Sequence, residues 1–134
     1  VINCKRNPLA SIMSILKNNL GDVSWAHDLN HILKFFDTYH NKINSFKNIH
    51  PNFVYEVELE KFVENPETES KKLMRFCNLT WDKSCLEFYK RKDLTSKTAS
   101  NIQIRKAIYK DSIDKHLPYK KYFANHAKKY SWFK

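Results

Sequence analysis

An arginine and a serine near the start of the chain are the first residues whose types and spacing suggest chemistry. Arg6 follows a short apolar run, and Ser14 lies eight residues further on. A guanidinium fork and a hydroxyl can together hold a phosphate group. Taken alone, however, the pair is more typical of a surface arginine and a solvated helical serine.

The residues around this pair predict a strand, a turn and a helix. Val1 to Cys4 is typical of the end of a buried strand. Pro8 predicts a turn, because proline fixes its own φ and disfavours a helical conformation for the residue before it, and it also suits the first turn of a helix. Arg6 therefore stands at the carboxyl end of a strand, where ligands bind in open α/β sheets. The helix is predicted from one apolar face: Leu9, Ile12, Met13, Leu16 and Leu20.

A second, longer helix is predicted after this unit. We expect Gly21 to end the first helix and Ser24 to cap a helix from Trp25 to about Phe46. His27 and His31 are four residues apart on it, which is a possible spacing for two metal ligands. No third ligand is evident, so we expect solvated histidines and no metal.

The rest of the chain predicts one more short strand and several helices. The strand covers residues 52–57, and a brief helix follows at residues 59–63. Asn65 and Pro66 then form an N-cap and a first helical residue. Further helices are predicted at residues 81–90, 109–116 and 119–129, with Thr80 as the cap of the first of them and an apolar tail at residues 130–134.

The composition indicates one folded domain with an anionic partner. A hydrophobic content of 42% in 134 residues argues against a disordered chain. The net charge of +10 is uneven, because residues 81–134 hold 14 Lys and Arg but only 5 Asp and Glu. Such a basic part favours a nucleotide, a nucleic acid, a sulfated glycan or an anionic membrane. A generally lysine-rich chain without a particular partner is the alternative.

Cysteine usage and hydropathy suggest a compartment. Cys4, Cys77 and Cys85 have no metal-ligand spacing, and the last two lie on apolar stripes, so we expect buried free thiols. We find neither a stretch as long as a transmembrane helix nor a signal peptide. These features favour the cytoplasm.

Gly21 is the only glycine in the sequence, which is unusual for a nucleotide-binding protein. Such proteins normally have a glycine-containing phosphate loop after the first strand. Because the chain also starts without Met, inside a predicted strand, we expect it to be the C-terminal part of a longer protein or half of a domain.

Four motifs occur in one order along the chain. They are Arg6-Asn-Pro-x5-Ser14, the segment Tyr55–Pro66, the turn Phe76–Asp82, and Thr98–Tyr109 followed by Ser112, Lys115 and Tyr119. Together they resemble the carboxyl half of the sulfotransferases that use 3′-phosphoadenylyl sulfate, over residues 1–123. The resemblance is closest to bacterial tetratricopeptide-repeat-linked sulfotransferases and looser to tyrosylprotein sulfotransferases.

This resemblance implies a fold and a function. The fold is the α/β, P-loop-like sulfotransferase fold, of which residues 1–134 would be the C-terminal, mostly helical portion of a single domain with two short parallel strands. The function is sulfuryl transfer from 3′-phosphoadenylyl sulfate to a hydroxyl or amine acceptor, without a metal. The cofactor residues that it implies are Arg6 and Ser14 for the 3′-phosphate, Tyr55 by the adenine, and Ser100, Gln103, Lys106 and Lys115 over the nucleotide.

The chain departs from this family at several positions. Ala107 replaces a proline of the cofactor loop, Asn78 replaces a turn glycine, and Asn18 stands where tyrosylprotein sulfotransferases have a second arginine. The family's 5′-phosphosulfate loop and catalytic base lie upstream of the segment that matches Val1. We therefore identify no catalytic base and expect the isolated residues to be inactive.

A small basic helical module that binds nucleic acid is the second hypothesis. Aromatic and basic residues alternate at Tyr109-Lys110 and at residues 119–123, which suits stacking on bases beside phosphate contacts. A structural segment without activity is the third. The resemblance favours a nucleotide over a nucleic acid.

Overall fold

The computed structural model describes residues 1–18, 20–91, 105–111 and 113–133. It contains strands β1 (Ile2–Lys5) and β2 (Tyr55–Glu58), and helices α1 (Pro8–Lys17), α2 (Leu29–Ile49), α3 (Leu59–Glu64), α4 (Pro66–Phe76) and α5 (Ala124–Lys129). Short 3₁₀ helices lie at Ser24–His27, Lys83–Cys85, Phe88–Lys90, Leu117–Phe123 and Ser131–Phe133. Contacts divide the chain into a first unit (Val1, Arg6–Val54 and Ile113–Lys134) and a second unit (Ile2–Lys5 and Tyr55–Ser112). In the described ranges, no helix is long and apolar enough to cross a membrane.

The two strands form a parallel pair, as predicted. Ile2 lies opposite Tyr55, and Lys5 lies opposite Glu58. The prediction of a buried strand is wrong, because Ile2 is 45% exposed and Cys4 is exposed as well. The buried residue of β1 is polar: Asn3 donates to a Glu56 carboxylate oxygen at 3.3 Å, and Lys5 pairs with the other oxygen at 3.3 Å. Alternation along a strand puts Asn3 and Lys5 on one face, so this face adds a side-chain hydrogen bond and an ion pair to the backbone pairing of the strands.

Helix α1 begins as predicted but ends early. The Asn7 side chain caps it by accepting a hydrogen bond from the Ala10 N–H at 3.1 Å, and Pro8 occupies the first turn. The helix ends at Lys17, with Asn18 as its C-cap. The prediction that Gly21 ends it is therefore wrong, and Gly21 does not adopt the positive φ of a C′ glycine.

Helix α2 begins at Leu29 and not at Trp25. Asp28, rather than Ser24, is its N-cap, because the Asp28 carboxylate accepts from the His31 N–H at 2.9 Å. Trp25 belongs to a separate 3₁₀ turn and stacks on Phe35, with ring centroids 3.9 Å apart. The sequence predicted a single helix here, because the apolar period continues through both the turn and the helix.

The core of the first unit lies between α1, α2 and the C-terminal segment. The apolar tail docks on it: Trp132 stacks on His40 and donates to an Asp37 carboxylate oxygen at 3.0 Å. The helix predicted at residues 119–129 is correct in part: α5 covers Ala124–Lys129, but the residues before it form the 3₁₀ helix Leu117–Phe123, which contains Pro118. The described residues of the helix predicted at 109–116 are not helical. The buried apolar side chains of this core are Leu9, Ile12, Ile32, Leu33, Phe123 and Phe133.

The second unit confirms α3 and α4 but not the helix predicted at residues 81–90. Asp82, not Thr80, caps a short 3₁₀ turn by accepting from the Ser84 N–H at 2.8 Å, and hydrogen bonds from the side chain and backbone of Ser84 hold the pKa of Asp82 below its usual value. The second 3₁₀ turn, Phe88–Lys90, begins after two intervening residues. The thiols are also less buried than predicted, because Cys77 is half-buried and Cys85 is exposed.

A left-handed asparagine ends α4. Asn78 has a φ of 56°, its N–H bonds to the Arg75 carbonyl at 3.0 Å, and the Leu79 N–H bonds to the Met74 carbonyl at 2.9 Å. This pair of bonds is a Schellman motif, in which the left-handed position favours glycine or asparagine. Asn78, which replaces the turn glycine of the family, thus adopts a left-handed conformation, which asparagine tolerates.

We expect Asn78→Ala to lower the free energy of unfolding by about 1 kcal/mol, because an ordinary side chain is strained at positive φ. Asn78→Gly should keep or slightly raise the stability. Thermal unfolding of the intact protein measures both, with the exposed helical substitution Asn48→Ala as the control. If alanine is tolerated at residue 78 as well as at residue 48, the assigned backbone conformation is incorrect.

Candidate functional site

Arg6 lies in the two-residue link between β1 and α1, as predicted. It is half-buried and directly follows the carboxyl end of β1. The next residue, Asn7, caps α1, so Arg6 directly precedes the helix N-terminus, which is the positive end of the helix dipole. A guanidinium next to a helix N-terminus suits an anionic group.

Ser14 lies on α1, and its hydroxyl contacts Asn18, which the sequence analysis names only as a departure from the family. The Asn18 side-chain amide donates to the Ser14 carbonyl at 2.7 Å and to the Ser14 hydroxyl at 3.3 Å. Because the amide uses a lone pair of the hydroxyl oxygen, the hydroxyl keeps its own hydrogen to donate to an anion. The spacing of four residues on one helical face is the signal that could have identified Asn18.

Tyr55 is the first residue of β2, opposite Ile2 at the amino end of the pair. It is half-buried, and its ring lies 5.1 Å from the Phe76 ring at a tilt of 32°. Lys72 of α4 lies near this ring. The pKa of Lys72 is raised mainly by its hydrogen bond to Glu69 at 2.6 Å, and Tyr55 makes the smallest contribution. The sequence analysis missed this lysine, because its position depends on how α4 packs against β2.

The remaining predicted cofactor residues are only partly within the described chain. Lys106 and Lys115 are both exposed. Ser100 and Gln103 lie outside the described residues. Arg6, Ser14 and Lys115 thus belong to the first unit, and Tyr55 and Lys106 belong to the second.

Two aromatic residues of the nucleic-acid hypothesis, Tyr119 and Tyr122, have lysines from the same chain over their rings. The Lys17 ammonium lies 4.6 Å from the centre of the Tyr119 ring, and the Lys121 ammonium lies 5.0 Å from the centre of the Tyr122 ring. These cation–π contacts compete with bases for the same ring faces. The arrangement therefore disfavours base stacking by either tyrosine.

Comparison with known proteins gives two findings. Residues 1–83 match the sequence pattern of a group described as the Sulfotransferase family. An uncharacterized protein of Aquifex aeolicus is 34% identical over 126 residues, which cover 91% of this chain and 16% of that protein. The chain thus spans about a sixth of the length of this relative. The matched pattern includes Arg6, Ser14 and Tyr55 but ends before Lys106 and Lys115.

Proposed function

The chain belongs to the sulfotransferase family, and we propose that it forms the side of a sulfotransferase site that holds the 3′-phosphate and adenine of 3′-phosphoadenylyl sulfate. The β1–α1 segment carries this proposal. It places an arginine between a strand and a capped helix, and its serine hydroxyl accepts from the Asn18 amide and can still donate its own hydrogen. This donor set fits a phosphate group.

Each residue would have a distinct part in holding the nucleotide. Arg6 would form the charge-assisted hydrogen bonds to the 3′-phosphate, and Ser14 would add its hydroxyl hydrogen. Tyr55 would supply an aromatic face for the adenine, with the Lys72 ammonium nearby for the anionic ligand. Four further residues would also contact the nucleotide: Ser100, Gln103, Lys106 and Lys115.

The reaction of the intact protein would be an in-line transfer. The bond between sulfur and the leaving phosphate oxygen breaks, a bond from sulfur to the acceptor oxygen or nitrogen forms, and adenosine 3′,5′-bisphosphate leaves. A base takes the acceptor proton, and cations stabilise the charge on the leaving phosphate. None of the residues assigned above serves as that base.

The three free cysteines suit a reducing compartment, and we assign the protein to the cytoplasm on that ground.

A double-mutant cycle tests the role of Asn18. We expect Ser14→Ala to weaken binding of adenosine 3′,5′-bisphosphate about tenfold, because it removes a hydrogen bond to a charged group. Asn18→Ala should cause a smaller loss, because it removes only the orientation of the hydroxyl. Calorimetry on the intact protein measures both variants and their combination.

The combined variant should bind no more weakly than Ser14→Ala alone, because Asn18 acts through Ser14. Lys17→Ala, at the neighbouring exposed position on α1, is the matched control. Additive losses would show that Asn18 contacts the nucleotide itself, and unchanged affinity in Ser14→Ala would remove the serine from the site.

A further inference from the structure

A cleft in the first unit lies beside the start of α1. Its volume is about 440 Å³, and it is lined by Asn7 and Leu9 at one end of α1 and by residues of the C-terminal segment. Neither Arg6 nor Ser14 is among its described lining residues. Lys115, the other residue of this unit that we assign to the nucleotide, is not among them either.

The walls of the cleft are apolar and fixed by the core. Leu9 is 4% exposed and Phe133 is 9% exposed, and both belong to the buried cluster, against which Ala127 also packs. Lys120 lies at the same cleft and is exposed. Among the described lining residues there is no carboxylate, so the charge of the cleft is positive.

A buried histidine gives the cleft a polar group. His116 is 8% exposed, and its Nδ1 lies 2.8 Å from the Ile113 carbonyl oxygen. Because a carbonyl only accepts, Nδ1 carries a hydrogen, and Nε2 is the remaining hydrogen-bonding atom of the ring. Within the described part of the chain, Nε2 has no hydrogen-bond partner. The ring is thus buried and fixed through Nδ1, and Nε2 is the atom left to meet a group that enters the cleft.

We propose that the cleft binds a small amphipathic carboxylate. Its carboxylate accepts a hydrogen bond from His116 Nε2 in the protonated ring, so a ring that starts neutral takes up one proton from solvent on binding. The Lys120 ammonium and the positive end of the α1 dipole attract the negative charge, and the apolar body lies against Leu9 and Phe133. This ligand is separate from the nucleotide, so the inference stands apart from the proposed function.

Phenylacetate and octanoate are the probes, and their neutral amides are the matched controls. Calorimetry on the intact protein should show that at least one carboxylate binds, about tenfold more tightly than its amide. Lys120→Met should weaken this binding about tenfold, whereas Lys121→Met should leave it unchanged. Ala124→Phe should abolish it, because Ala124 lines the cleft and is exposed, so a larger side chain obstructs the cleft without entering the core.

Three results would overturn this inference. They are no binding of either carboxylate, equal binding of carboxylate and amide, and equal losses in the two lysine variants. Saturating adenosine 3′,5′-bisphosphate should leave the carboxylate affinity unchanged. Competition between the two ligands would assign the cleft to the nucleotide site, which would reject the separate carboxylate site while leaving the proposed function in place.

Discussion

Replacing Arg6 by alanine is expected to weaken binding of adenosine 3′,5′-bisphosphate by about 1.5–3 kcal/mol, the range for hydrogen bonds to charged groups. Arg6 is half-buried and lies where β1 leads into the capped start of α1. Arg6→Lys should recover only part of the loss, because an ammonium lacks the bidentate fork. Calorimetry on the intact protein measures these affinities.

Two comparisons make the Arg6 test specific. Adenosine 5′-phosphosulfate lacks the 3′-phosphate, so its affinity should be much less affected by Arg6→Ala. Arg75→Ala, at an exposed arginine in the last turn of α4, should leave both affinities unchanged. An equal loss for the two nucleotides in Arg6→Ala would reject the assignment of Arg6 to the 3′-phosphate.

Replacing Tyr55 by alanine is expected to weaken nucleotide binding by about 1–3 kcal/mol, the range for stacking of one base on an aromatic ring. Tyr55→Phe should keep most of the affinity, because it keeps the aromatic face. The alanine variant should also unfold at a lower temperature, because the Tyr55 ring packs on Phe76 at 5.1 Å. Affinity and melting temperature must therefore be measured on the same variants.

Phe76→Leu separates the two roles of Tyr55. It removes the ring that Tyr55 packs on but leaves the tyrosine face for the adenine. We expect it to lower the melting temperature with little effect on affinity. A fall in melting temperature with unchanged affinity in Tyr55→Ala would show a structural tyrosine and no adenine contact.

The sequence predicted elements well where a local signal had no competitor. Asn7 and Pro8 specify a capped helix start, and Asn65 with Pro66 marks the start of α4, although Asn65 makes no side-chain cap bond there. Predictions failed where two signals competed. Ser24 and Asp28 are both capping residues, and only the tertiary structure shows that the aspartate begins the long helix.

The candidate site was predictable as a set of residue types but not as an arrangement. Arg6 and Ser14 follow from a motif that spans nine residues. The contact of Tyr55 with Phe76 depends on how α4 packs against β2, which a one-dimensional pattern does not contain. Exposure of β1 was also unpredictable, because a strand's own sequence does not show which elements cover its faces.

The central claim is that this chain recognises a nucleotide through its 3′-phosphate. Calorimetry on the intact protein with adenosine 3′,5′-bisphosphate and adenosine 5′-phosphate, each with and without a single-stranded oligonucleotide, tests it most directly. We predict that the bisphosphate binds at least about tenfold more tightly than the monophosphate, and that the oligonucleotide does not displace it. Equal affinities for the two nucleotides, or displacement of the bisphosphate by the oligonucleotide, would contradict the claim.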